Sequence, residues 1–135
     1  MTFRTVHSFE TRAAESGRIR EKFPGRIPII VERSTRADKT MPAIDKNKFL
    51  VPGDLTLGQF IYVIRKRMEL SSDKALFVFV GNGLPTTGTL IRELFRTHHD
   101  DDGFLYMEYC GESTFGSAST VGSMSGLVFT PNNTP

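Results

Sequence analysis

The residue types that do chemistry are few in this chain, and most of them fall in His98-His99-Asp100-Asp101-Asp102 and the single cysteine, Cys110. Imidazoles beside carboxylates invite a metal. Adjacent histidines seldom converge on one ion, however, and no further Cys/His set lies at ligand spacing, so the expectation is a solvated acidic turn and no metal site. Cys110 stands beside Gly111 with no nearby His-and-acid pair to activate it, which makes a small, semi-buried thiol the expectation rather than a nucleophile. Gly81-Asn82-Gly83 follows an apolar run but leads into Leu84-Pro85 instead of a helix start, so it is not a phosphate-binding glycine loop. No catalytic constellation assembles, and an enzyme is not expected.

Composition narrows the remaining classes. A chain of 135 residues is most simply one domain with a real core. The formal charge of +2 is too small for a backbone-binding nucleic-acid protein, which needs a dominant positive field. One cysteine excludes an internal disulfide, and neither a signal peptide nor a hydrophobic span of membrane length appears. A cytoplasmic protein is the default, and any membrane contact must come through an added anchor or a surface.

The elements that would position a binding site centre on Lys46–Arg67. Phe49-Leu50-Val51, closed by Pro52-Gly53, reads as a strand and its turn. Thr56 can then N-cap a helix, Gln59 can complete a capping box, and Leu55 can staple onto Phe60. Leu57, Phe60, Ile61, Ile64 and Met68 form one apolar stripe at helical period, and Arg65, Lys66 and Arg67 place cations in the last turn.

Around this centre the other elements follow in order. Ser8 can cap a helix over Phe9–Lys22 that Pro24-Gly25 stops, with Phe9, Ala13, Ile19 and Phe23 as its apolar positions and Gly17 predicting a broken or two-part helix. Arg12, Arg18, Arg20, Lys22 and Arg26 make this end basic, a solvated face or a surface for an acidic partner such as tubulin or anionic lipid. Ile27–Val31 is the first strand, and Pro28 places it at a sheet edge or marks its first residues. Leu76–Val80, apolar on both faces, predicts a central strand paired parallel to the first. Thr89 can cap a short helix holding Leu90, Ile91, Leu94 and Phe95. Asp100–Gly103 is a turn, and Phe104–Tyr109 the last strand. This order describes an α+β fold of β-grasp type, although ferredoxin-like folds share pieces of it. From Ser117 to Pro135 no charged side chain occurs, and Ser, Thr, Gly, Asn and Pro dominate, which predicts a flexible tail.

FETR (9–12), KFPGRIPIIVE (22–32), DKNKFLVPGDLTLGQFIYVIRKR (45–67), ALFVFV (75–80), HHDDDGFLYMEY (98–109) and GESTFG (111–116) together resemble the autophagy ubiquitin-like modifiers, the family of microtubule-associated-protein light chain and GABA-receptor-associated protein. The resemblance implies a ubiquitin-like β-grasp core over 26–116, an N-terminal helical extension over 1–25, and a C-terminal propeptide over 117–135. It implies a modifier rather than an enzyme. A cysteine protease would cleave after Gly116, activating and conjugating enzymes would carry that glycine as a thioester, and its carboxylate would be joined to phosphatidylethanolamine on autophagosomal membranes. No other cofactor is implied.

The family's groove for aromatic-x-x-aliphatic peptides of cargo receptors maps here onto two pockets. The aromatic pocket falls on Glu15, Ile19, Pro28, Ile30, Lys48, Leu50 and Phe104, and the aliphatic pocket on Phe49, Val51, Pro52, Leu55, Phe60 and Val63. Lys48 and Arg67 would meet acidic residues flanking the peptide. The alternative is an unconjugated adaptor for trafficking or cytoskeletal proteins, microtubules among them. The chain departs from the family in a longer connection, Ser34–Ala43, and in the length of sequence after Gly116.

Overall fold

The computed structural model describes residues 1–35 and 41–111; 36–40 and 112–135, which hold Gly116, the tail and part of the long connection, lie outside the described residues. The elements are α1 (Phe3–Val6), α2 (Phe9–Lys22), β1 (Arg26–Arg33), β2 (Lys48–Pro52), α3 (Leu57–Met68), β3 (Phe77–Val80), α4 (Ile91–His98) and β4 (Leu105–Cys110). One four-stranded sheet has the order β2-β1-β4-β3. β1 runs parallel to β4, and the two outer pairs are antiparallel. This is the mixed sheet of a β-grasp, with α3 across one face and the N-terminal helices on the other.

α3 forms where its caps and stripe require. Thr56 Oγ1 accepts the Gln59 amide at 3.1 Å while Gln59 Oε1 accepts the Thr56 amide at 2.9 Å, so both halves of the capping box are present. Leu57, Phe60, Ile61 and Ile64 are buried, and Leu55 and Met68 pack half-buried against the same core. That core also takes Ile27, Ile29 and Val31 from β1 and Phe49 and Val51 from β2. β1 has a second buried face. Ile30, fully buried, joins Phe104 and Phe3 in a separate cluster beneath α1 and α2, with Ile19 and Tyr106 half-buried beside it. Burial on both faces explains the unbroken apolar run Ile27–Val31.

Several sequence expectations need correction. β3 lies at the edge of the sheet and, among the strands of the described residues, pairs with β4 alone, antiparallel; the parallel partner of β1 is the last strand, β4. The apolar run misled because Val78 and Val80 face the core while Phe79 remains half-exposed. Of the two readings of Pro28 the edge fails, since β1 is interior, and the other holds: Pro28 stands near the start of β1, ahead of the parallel register that begins at Ile29↔Leu105, so it costs no ladder bond to β4. α2 runs unbroken through Gly17, where a Cβ would meet nothing within 4 Å. Phe9 and Phe23 are exposed, and the buried residue of this helix is Ser16. Thr89 does not cap α4: its hydroxyl meets Thr86 Oγ1 at 2.9 Å, its carbonyl accepts the Leu57 amide at 2.8 Å, and Leu90 holds the cap position. Cys110 is buried rather than semi-buried.

The acidic turn is not simply solvated. Asp102 is buried, and its carboxylate accepts from Arg12 at 2.6 Å, from the Tyr106 hydroxyl at 2.6 Å and from the Phe104 amide at 2.8 Å. Its carbonyl accepts the Ser16 hydroxyl, and Asp100 pairs with Arg4 at 2.8 Å. Burial, then the bond to Asp102, pushes the Tyr106 phenol well above its ordinary range. The turn therefore clamps α1 and α2 onto the start of β4. His98 and His99 face separate partners, Thr97 Oγ1 at 2.8 Å and the Phe95 carbonyl at 2.9 Å.

Candidate peptide-binding edge

β2 pairs with β1 on one side and with no strand of the described residues on the other. Its side chains alternate between the two faces of the sheet, and each face meets a different helix. Toward α3 point Phe49 and Val51, both nearly buried, with the Phe49 ring edge-on to Phe60 at 5.4 Å. Toward α2 point Lys48 and Leu50, both half-exposed.

The α3 side holds an open groove of about 660 Å³, lined by Asp45, Lys46, Val63, Lys66, Arg67 and the β2 segment Phe49–Val51. Val63 is 40% exposed and supplies the accessible apolar wall. Lys46 lies 5.7 Å from the Phe49 ring centre, and Arg67 Nε bonds Asp45 at 3.0 Å. That bond holds the Asp45 carboxyl below its usual range, and the rim carries three cations against one carboxylate. Of the expected aliphatic pocket, Phe49, Val51 and Val63 come together here. Phe60 is fully buried behind Phe49, Leu55 packs into the core, and Pro52 is exposed at the strand end.

On the α2 side, Pro28 and Ile30 of β1 and Phe104 form a buried floor, and Ile19 and Leu50 stand half-buried above it. Glu15 reaches across from α2 to form an ion pair with Lys48. All seven residues expected for the aromatic pocket thus lie about one seam between α2 and β2. Phe3 was missed. It meets Phe104 edge-on at 5.3 Å and lies 5.6 Å from Lys48 Nζ, so α1 forms the back of this seam. The signal available in sequence was a lone aromatic, with Thr2 and Thr5 able to cap the single turn that carries it.

Residues 11–116 match the family model described as Autophagy protein Atg8 ubiquitin like. The chain belongs to the Atg8 family. It is 56% identical over 117 residues to Autophagy-related protein 8e of Arabidopsis thaliana, covering 87% of this chain and 94% of that protein. To Autophagy-related protein 8 of Mycosarcoma maydis it is 55% identical over 114 residues, covering 84% and 95%. Among solved structures, Trypanosoma brucei ATG8 superposes with a TM-score of 0.78 at 39% identity, over 83% of this chain and 95% of that one. Plasmodium falciparum Atg8 in complex with a Plasmodium falciparum Atg3 peptide superposes with a TM-score of 0.75 at 37% identity, over 84% and 98%. The chain is therefore a ubiquitin-like autophagy protein, and its β-grasp sheet with N-terminal helices is the Atg8 fold.

Proposed function

We propose that this Atg8-family protein is a lipid-conjugated modifier that recruits aromatic-x-x-aliphatic peptides along the open edge of β2. The observation that carries the peptide reading is the placement of one recess on each face of that edge. A strand added to β2 points successive side chains to opposite faces, so residues three apart, an odd offset, enter opposite recesses. An aromatic anchor then enters the seam between α2 and β2, and the aliphatic residue enters the groove beside Val63. Lys46 and Lys66 attract acidic flanks directly, whereas Lys48 and Arg67 must exchange Glu15 and Asp45 for the peptide.

Attachment is assigned to Gly116, within the matched residues and ahead of the charge-free segment 117–135. A glycine presents no side chain at a scissile bond or a thioester. A cysteine protease releases residues 117–135, activating and conjugating enzymes transfer the glycine carboxylate, and the amide to phosphatidylethanolamine supplies an anchor. The conjugating-enzyme partner has support in the Plasmodium relative, which is seen with an Atg3 peptide. No helix of the described residues is long and apolar enough to cross a membrane, and a covalent lipid fills that role. The protein then divides between the cytoplasm and autophagosomal membranes. Gly116→Ala is expected to block processing and leave the protein diffuse, while a chain ending at Gly116 reaches membranes without the protease. Lipid-linked Gly116→Ala protein on membranes would refute the assignment.

A further inference from the structure

A third recess lies where β2 ends, and it is basic. It has a volume of about 540 Å³ and is lined by Arg20, Arg26, Arg92 and Asp54 over the turns Pro24-Gly25 and Pro52-Gly53. Of the other arginines of the described residues, all but the exposed Arg18 have acceptors: Arg4 pairs with Asp100, Arg12 with Asp102, Arg67 with Asp45 and Arg96 with Glu93, while Arg33 and Arg65 bond backbone carbonyls. Arg20, Arg26 and Arg92 have no such acceptor among the described residues, and all three converge on this one recess.

The recess is built rather than incidental. The Gly53 amide donates to the Gly25 carbonyl at 3.2 Å, and the Arg92 amide donates to the Gly53 carbonyl at 2.9 Å, so backbone bonds tie the three segments together. The fit is close enough that a Cβ on Gly53 would lie 3.1 Å from the Cβ of Arg92. Arg20 is held by its guanidinium over the Phe95 ring, 4.7 Å from the centroid. Three cations against one carboxylate leave two net positive charges, which match a phosphomonoester carrying about −1.5 to −2 near neutral pH. Guanidinium forks suit its oxygens.

We infer that this recess binds the phosphomonoester headgroup of a membrane lipid. The membrane is favoured over a phosphorylated protein by the rim. Phe23, 41% exposed, stands next to the Pro24-Gly25 turn with Lys22 Nζ 5.8 Å from its ring centre. An exposed aromatic flanked by cations suits a lipid interface, where the ring enters the headgroup layer and the cations meet its negative potential. The site is distinct from the peptide edge and does not depend on conjugation.

The test is flotation of the full 135-residue chain with phosphatidylcholine vesicles carrying phosphatidic acid, beside vesicles carrying phosphatidylserine at matched surface charge. Tighter binding to phosphatidic acid is expected, displaced by inorganic phosphate. Arg26→Gln and Arg92→Gln should each weaken it roughly fivefold. Arg18→Gln, an exposed position outside the recess, should change it by less than about twofold, because its charge acts only through the screened general field. Equal binding to the two lipids, or equal losses from Arg18→Gln and Arg92→Gln, would reduce the effect to diffuse surface charge and overturn the inference. Binding of inorganic phosphate or a phosphoserine peptide, read at the Arg26 and Arg92 amides by NMR, without vesicle binding would overturn the lipid assignment. Retained peptide affinity at β2 confirms that each variant is folded.

Discussion

Leu50→Ala and Val63→Ala should lose affinity for different halves of the same peptide. Leu50 is half-exposed on the α2 face of β2, and Val63 is 40% exposed on the α3 side. Leu→Ala removes three carbons and Val→Ala two. At about 0.8 kcal/mol per buried methylene the losses are at most about 2.4 and 1.6 kcal/mol, roughly sixtyfold and fifteenfold in Kd, because the peptide newly covers only the part of each side chain that is solvated in the free protein. Neither variant should destabilise the fold by more than about 1 kcal/mol, because both side chains are partly solvated in the free protein. The assay is calorimetry of each variant against an aromatic-x-x-aliphatic peptide and against two versions in which one anchor is alanine. Leu50→Ala should become nearly silent once the peptide lacks its aromatic residue, and Val63→Ala once it lacks its aliphatic residue. Equal losses for Leu50→Ala whichever anchor is removed would refute the division of the site between two faces.

Other substitutions test the frame around the edge. Phe49→Ala, unlike Leu50→Ala, should cost about 3–5 kcal/mol in urea unfolding, because the ring is buried against Phe60; a loss below 1 kcal/mol would place Phe49 in the groove rather than the core. Asp102→Ala should lower the thermal midpoint more than Asp100→Ala, since it leaves Arg12, the Tyr106 hydroxyl and the Phe104 amide without their shared acceptor; equal midpoints would contradict the clamp. The Tyr106 phenol is raised above its unfolded value of 10.0 by burial and then by Asp102. Its contribution to stability is therefore complete below about pH 10 and is lost as pH rises through the folded pKa, and Tyr106→Phe should flatten that alkaline decline in denaturation midpoint.

Local signals in the sequence located what is locally determined. The capping box of Thr56 and Gln59, the stripe from Leu57 to Ile64 and the strand Phe49–Val51 are each fixed by neighbours within a few residues. Strand order is not. Leu76–Val80 is the most apolar strand segment, yet it lies at the edge, because a run of hydrophobes records burial and not the number of strands beside it. Asp102 reads as a surface acid until Arg12, ninety positions earlier, is brought beside it. For the same reason Phe3 could not be read as part of the aromatic seam, whose other walls come from α2, β1, β2 and the approach to β4. The residue types of both recesses were legible only through the resemblance. Which of them are accessible, Val63 and Leu50 as against Phe60 and Phe104, is decided by packing depth.

The central claim is that this Atg8-family chain acts as a modifier joined through Gly116. It is tested most directly by the intact mass of the membrane-bound protein isolated from its own cells. The account predicts a chain that ends at Gly116 and carries one phosphatidylethanolamine in amide linkage. Membrane-bound protein that keeps residues 117–135, or that ends at Gly116 with no lipid adduct, would contradict it.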